Sequence, residues 1–322
     1  MHVLRILLLG SLSLLLLASC GSNPPAPTAR LAQFSLKVRG SHPRGIALGP
    51  DGNLWFTEWV TNRIARITPT GTITEFALPK QSIDIMEQPY AIVAGPDGNL
   101  WFTEGLGDAI GRITPDGTIT EFHLPHILSA PRGITVGPDG SLWFTEETGN
   151  RIGHITTSGV ITEFPAQGNP LEITTGPDGN LWFTENNGNH IGRMTLQGTL
   201  TQFAIPTASS AAIAITAGPD GNVWFTENYA NKIGRITPQG AFTEFSLPSA
   251  NSWPRGITKG PGNNLWFTEE STARIGRITP QGAITEFSLP KFNSDPYAIT
   301  AGPAGLWFTE QGVDQIGHLT PT

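Results

Sequence analysis

The chain has one cysteine, Cys20, in 322 residues, so no intrachain disulfide can form and the fold must stand on packing. Positive charge is also scarce: 19 Lys and Arg face 26 Asp and Glu, a formal net charge of −7. That balance argues against a nucleic-acid partner, which needs a basic stripe. No Gly-x-Ser-x-Gly elbow, Walker loop or zinc spacing is present. The apolar run Ile6–Ala18 is too short for a convincing membrane span. Tyrosine is rare, with three in the chain: Tyr90, Tyr229 and Tyr297.

What is present begins with a targeting segment. One charge in Met1–Arg5 and a Leu-rich stretch to Ala18 make the two regions of a secretory signal. It ends Leu17-Ala18-Ser19-Cys20, which resembles a bacterial lipobox. Residues 1–19 are therefore expected to be a lipoprotein signal peptide. Cys20 is expected to carry the lipid, holding the protein to a bacterial membrane from outside the cytoplasm. Residues 20–32, rich in proline, read as an extended tether.

The remainder, 33–322, is organised by Trp-Phe-Thr-Glu. It occurs seven times, starting at Trp55, Trp101, Trp143, Trp182, Trp224, Trp266 and Trp307. Self-similarity at about 40 residues means one supersecondary unit copied and packed on itself. Each copy reads as four short strands, A to D. In the third, Gly133–Val136 is A, Leu142–Thr145 is B, Ile152–Thr156 is C and Val160–Phe164 is D. Pro-Asp-Gly joins A to B, where glycine accepts positive φ. An all-β, seven-bladed β-propeller with four antiparallel strands per blade is predicted. The seventh copy stops after strand C, and Gln33-Phe34-Ser35-Leu36 matches the strand D text Glu244-Phe245-Ser246-Leu247. The N-terminal strand should therefore complete the last blade. A monomer is expected.

The short A–B and C–D turns fall on one edge of every blade. The variable B–C and D–A loops fall on the other, and varied loops on a repeated scaffold are where function usually lives. All three tyrosines fall there, as do Trp59 and Trp253, the two tryptophans outside the motif. Arg44, Arg132 and Arg255 share one repeat position with Tyr90 and Tyr297. If strand A is innermost, these side chains ring the mouth of a central channel. They suit a planar or anionic ligand, or a partner surface. Trp253, Arg255, Asp295 and Tyr297, from neighbouring blades, are expected to form the principal site on one side of it.

The repeat Gly-Pro-Asp-Gly-Asn-Leu-Trp-Phe-Thr-Glu, followed by Asn-Arg-Ile-Gly-Arg-Ile-Thr-Pro and Ile-Thr-Glu-Phe, resembles the virginiamycin B lyase, or streptogramin B lyase, family across residues 33–322. The resemblance implies a Mg²⁺-dependent elimination that opens a cyclic depsipeptide at its ester bond. It places a histidine in the sixth blade after a proline, where this chain has Arg255. It places a metal-binding Glu, a Pro and the histidine base in the seventh, where this chain has Asp295, Pro296 and Tyr297. A further metal-binding Glu falls on Gln311, beside Glu310. Asp295 keeps a carboxylate able to hold a cation. A tyrosine, with a pKa near 10, is a poor base at neutral pH. His42, before Pro43, is the one histidine adjoining the proline of a strand A start, and is a substitute candidate for the base.

The seven motif glutamates form a ring near the variable edge. They are expected to pair within each blade with the arginine of Ile-Gly-Arg (Arg112, Arg193, Arg235, Arg277). Three functional readings stand: a binding module for a small molecule or envelope partner at the rim, a streptogramin-type lyase using Mg²⁺, or a structural envelope protein. Turnover of a streptogramin separates the second from the others. A ligand-dependent melting shift lost on rim mutation separates the first from the third.

Overall fold

The computed structural model describes residues 29–79 and 87–321; the expected signal peptide, Cys20 and most of the tether lie outside them. Seven four-stranded antiparallel sheets follow one another, the first six each built of consecutive strands A, B, C and D. Blade one is Pro43–Leu48, Leu54–Glu58, Arg63–Ile67 and Ile73–Ala77. Blade seven takes Pro296–Gly302, Gly305–Glu310 and Gln315–Pro321 from the C-terminus and Ala29–Ser35 from the N-terminus. That closing strand pairs from Ala29 with Pro321 to Ser35 with Gln315. It begins four residues before Gln33, because strand C of blade seven runs on to Pro321 and offers it partners.

Strand B carries the core. Every residue of Leu-Trp-Phe-Thr-Glu is buried. Successive side chains of a strand point to opposite faces, so Trp and Phe serve different neighbours. Trp55 packs with Leu100 and Phe102 of blade two, and the pattern closes where Trp307 meets Leu54 and Phe56 of blade one. Trp55 also stacks on Phe76 of its own strand D, at 5.5 Å between ring centroids. Its indole N–H needs an acceptor once buried, and the Asp51 carboxylate of the A–B turn accepts it at 3.0 Å. Blades six and seven lack that aspartate, and the carbonyls of Pro261 and Pro303 accept instead.

The expected Glu–Arg pairing is not what forms. Register sets Arg112 opposite Trp101 and Arg193 opposite Trp182, three residues from the motif glutamate and toward the short-turn edge. There the arginines cover the Trp face, and Arg193 and Arg235 donate to the Pro238 and Pro280 carbonyls of the next blade's C–D turn, both at 2.9 Å. They fasten blade to blade.

The A strands stand innermost and touch in sequence around the axis, that of blade seven meeting that of blade one. Small residues permit the approach: a Cβ on Gly45 would lie 2.7 Å from the Tyr90 carbonyl, and one on Gly256 would lie 2.6 Å from that of Tyr297. The motif threonines lock it. Thr57 donates to the Tyr90 carbonyl at 2.9 Å, Thr226 to Arg255, Thr268 to Tyr297 and Thr309 to Arg44 at 2.8 Å.

Candidate functional site at the channel mouth

Those threonine-held residues are the ones that ring the mouth, one per blade: Arg44, Tyr90, Arg132, Leu171, Ile213, Arg255 and Tyr297. Each follows the first residue of strand A, at a bulge where the ladder to strand B shifts register. Bulges re-aim side chains. A cavity of about 310 Å³ opens here, and Tyr229 and Glu147 join its wall. Below it, a shaft of about 150 Å³ runs between the isoleucines of strand A, including Ile46, Ile92, Ile257 and Ile299. Tyr90, Arg255 and Tyr297 line both spaces.

The mouth is tied together by polar contacts. Arg255 donates to the Tyr297 hydroxyl at 3.0 Å and lies over its ring, 4.1 Å from the centroid. The Tyr297 and Tyr90 hydroxyls are 2.8 Å apart, so one donates to the other. Arg255 pairs with Glu270 at 2.9 Å and Arg132 with Glu147 at 2.7 Å. Arg44 differs. Its guanidinium lies over Trp59 at 3.8 Å, over Tyr90 at 5.1 Å and over Tyr297 at 5.2 Å, and its Nε, like that of Arg255, is buried without an acceptor. Burial raises the Tyr90 phenol well above its ordinary value, with Tyr297 and Glu172 adding to the effect.

The four-residue grouping expected on one side of the mouth divides. Arg255 and Tyr297 meet, but Trp253 and Asp295 are not among the residues lining either cavity. Both precede a proline and both have positive φ, 52° and 45°. That conformation turns their side chains off the axis, and Trp253 is 47% exposed. His42 shares it at φ 48° and also lies outside the cavity walls. Its backbone N–H binds Asp314 at 3.0 Å. Trp59 reaches the mouth only through Arg44.

The residues at the family's magnesium positions do not suit that ion. Gln311 brings no charge, and its neighbour Glu310 has both carboxylate oxygens held inside the blade by the Gln33 amide, at 2.8 and 2.9 Å. Asp295 is left as the one carboxylate of the set, and burial raises its carboxyl, with His42 opposing in part. No group of three His, Cys, Asp or Glu among the described residues is arranged for a metal. Hard divalent cations want several oxygen ligands.

Glu172 is the group the motifs did not reveal. It projects into the shaft from blade four. Burial raises its carboxyl to about 7, against the pull of Arg132 and Arg255. The signal that finds it is positional. The same place in the other blades holds Gly45, Ala91, Gly133, Ala214, Gly256 and Ala298.

The profile of the virginiamycin B lyase family matches residues 26–169 and 165–322. No curated protein matches. Among solved structures, a streptogramin B lyase is 39% identical with a TM-score of 0.86, over 91% of this chain and 98% of its own. Virginiamycin B lyase from Staphylococcus aureus is 42% identical with a TM-score of 0.86, over 91% of this chain and 99% of its own. A catalytically inactive form of that lyase, solved with quinupristin, agrees equally well, at 42% identity and a TM-score of 0.86 over the same shares. With the repeat, the seven closed blades and these matches in accord over nearly its whole described length, the chain belongs to the virginiamycin B lyase family.

Proposed function

We propose that this protein is a binding propeller that uses the channel mouth to hold a small ligand, and that it does not open streptogramin rings. The observation that carries this reading is the Arg255–Tyr297 pair. These side chains stand at both family histidine positions and are spent on each other at 3.0 Å. A guanidinium cannot accept a proton from the carbon α to a carbonyl. Tyr297 would have to give up a hydroxyl proton first. The poor magnesium donor set at Asp295 and Gln311 supports the same conclusion. Cys20 would anchor the protein to a membrane outside the cytoplasm, as a monomer with no nucleic-acid partner and with the mouth presented to a small molecule or an envelope component.

The test is incubation of the purified protein with quinupristin and Mg²⁺, followed by mass spectrometry and reverse-phase separation of ring-opened product. No product above the no-enzyme rate is expected. Turnover abolished by Tyr297→Phe, Asp295→Ala or His42→Ala would replace this reading with the lyase one. Restoring histidine at both family positions, by Arg255→His with Tyr297→His, is not expected to suffice while Gln311 remains.

A further inference from the structure

The charges around the mouth do not cancel, and the imbalance describes the ligand. Three guanidinium groups face the cavity: Arg44, Arg132 and Arg255. Two have carboxylate partners, Arg132 in Glu147 and Arg255 in Glu270. Arg44 has none among the described residues, and its contacts are the faces of Trp59, Tyr90 and Tyr297. One positive charge is therefore left over, half-buried and framed by aromatic rings. A half-buried guanidinium without an anion is costly, and one that meets a carboxylate gains charge-assisted, bidentate hydrogen bonds. The space beneath is narrow, walled by strand A isoleucines together with Glu172, Tyr90, Arg255 and Tyr297. Resting on the reading of the mouth as the binding site, we propose that the ligand is a monoanion. It carries a carboxylate on a flat apolar body, the carboxylate meets Arg44, and the body lies against Tyr90 and Tyr297 toward the isoleucine-lined shaft.

Glu172 then acts as a selectivity element. It lines the same shaft and accepts no hydrogen bond from the described residues. The charged groups facing it are Arg132 and Arg255, with the phenols of Tyr90 and Tyr297 beside them. When ionised it cancels the surplus charge of the mouth and repels a second anion. When protonated it leaves the surplus in place and becomes a donor. Its carboxyl lies at about 7, so the anion should bind more tightly on the acid side. No proton is consumed in chemistry; the proton is taken up on binding.

The test compares phenylacetate with its neutral amide, phenylacetamide, and with the cation phenethylamine, by ligand-observed NMR titration of the full chain carrying Cys20→Ser, which removes the proposed lipid site. Phenylacetate should bind about tenfold more tightly than phenylacetamide, and phenethylamine least. Arg44→Gln should bring acid and amide level, and Arg44→Lys should keep part of the preference. Affinity for phenylacetate should rise as pH falls through neutrality, and Glu172→Gln should hold it at the acid-side value across that range. Thermal melts of each variant report that it is folded. Equal binding of all three probes, lost in Tyr90→Ala, would overturn the ligand class while leaving the mouth as the site. An acid preference that survives Arg44→Gln places the anion elsewhere and overturns the inference. Binding of none of the three at millimolar concentration overturns it too.

Discussion

Residue by residue, the seven motif glutamates are equally buried and differ in what meets them. Glu185 and Glu310 receive an amide from Gln202 and Gln33 on strand D. Glu58 and Glu269 receive the hydroxyls of Thr61 and Thr272, and Glu146 has Arg151 at 3.4 Å. Glu104 and Glu227 have both oxygens buried without a partner. The reasons are local. In blade two Glu87 occupies the place that serine holds in five other blades, and Ala109 occupies the basic position at the start of strand C. In blade five Ser210 is present, but its hydroxyl is given to Asn189 at 3.0 Å. Burial accordingly raises Glu227 to about 8, with Glu244 adding and Lys232 opposing. A folded-state pKa above the ordinary 4.5 means the fold holds the proton more tightly than the unfolded chain. The stability it contributes is complete below that ordinary value and is lost as pH rises through about 8. Glu227→Gln should therefore raise the thermal midpoint at about pH 9, by an amount equivalent to at most about 5 kcal/mol, and change it little at about pH 5. Equal shifts at both pH values would mean that packing and not ionisation is responsible.

Among the elements, the N-terminal strand is the one whose loss reaches furthest. Phe34 stacks on Trp307 at 5.7 Å, Leu31 packs against the core between blades six and seven, and Leu36 donates its N–H to the Asp314 carbonyl at 2.9 Å. Each such apolar side chain contributes about 1.5–3 kcal/mol on full burial. A chain beginning at Arg39 should thus melt well below the intact protein and expose the edge of Gln315–Pro321; an unchanged melting curve would show that the ring does not need this closure. The strand was legible because Phe34-Ser35-Leu36 repeats the text of other D strands, although its start at Ala29 was not, since Ala-Arg-Leu-Ala shares no text with them. The mouth was legible for Arg44, Tyr90, Arg132, Arg255 and Tyr297, because one repeat position maps to one place on the axis. Trp253 and Asp295 were misplaced because residues before proline ordinarily stay extended, and here they take positive φ. Glu172 escaped because it belongs to no motif; only comparison of the seven copies at one small-residue position exposes it.

For the whole molecule, the direction of the N-terminal strand decides which way the mouth would face under the proposed anchor. Ala29 pairs with Pro321, at the end of blade seven that carries the short turns, and Ser35 pairs with Gln315 near the variable loops. The chain therefore enters the propeller from the short-turn edge. Nine residue steps separate Ala29 from Cys20, a reach of roughly 30 Å when fully extended. Doubling back along the strand to the rim would use about 20 Å of it. With the proposed lipid on Cys20, the short-turn edge should face the bilayer and the mouth should open away from it. The exposed large hydrophobics are concentrated on the other edge. Among the described residues Val60, Leu106, Ile127, Leu128, Tyr229, Trp253 and Phe292 are exposed on variable loops, and Leu48 and Val160 near the short turns. No described helix is long and apolar enough to cross a membrane. Cys20→Ser should release the protein from the membrane fraction. In lipidated protein reconstituted into liposomes, a fluorophore on Thr70→Cys, in the C–D turn of blade one, should be quenched by spin-labelled lipid more than one on Val60→Cys, in its B–C loop. Stronger quenching at Val60 would reverse the orientation, and continued sedimentation of the Cys20→Ser protein with membranes at high salt would remove the anchor on which the orientation depends.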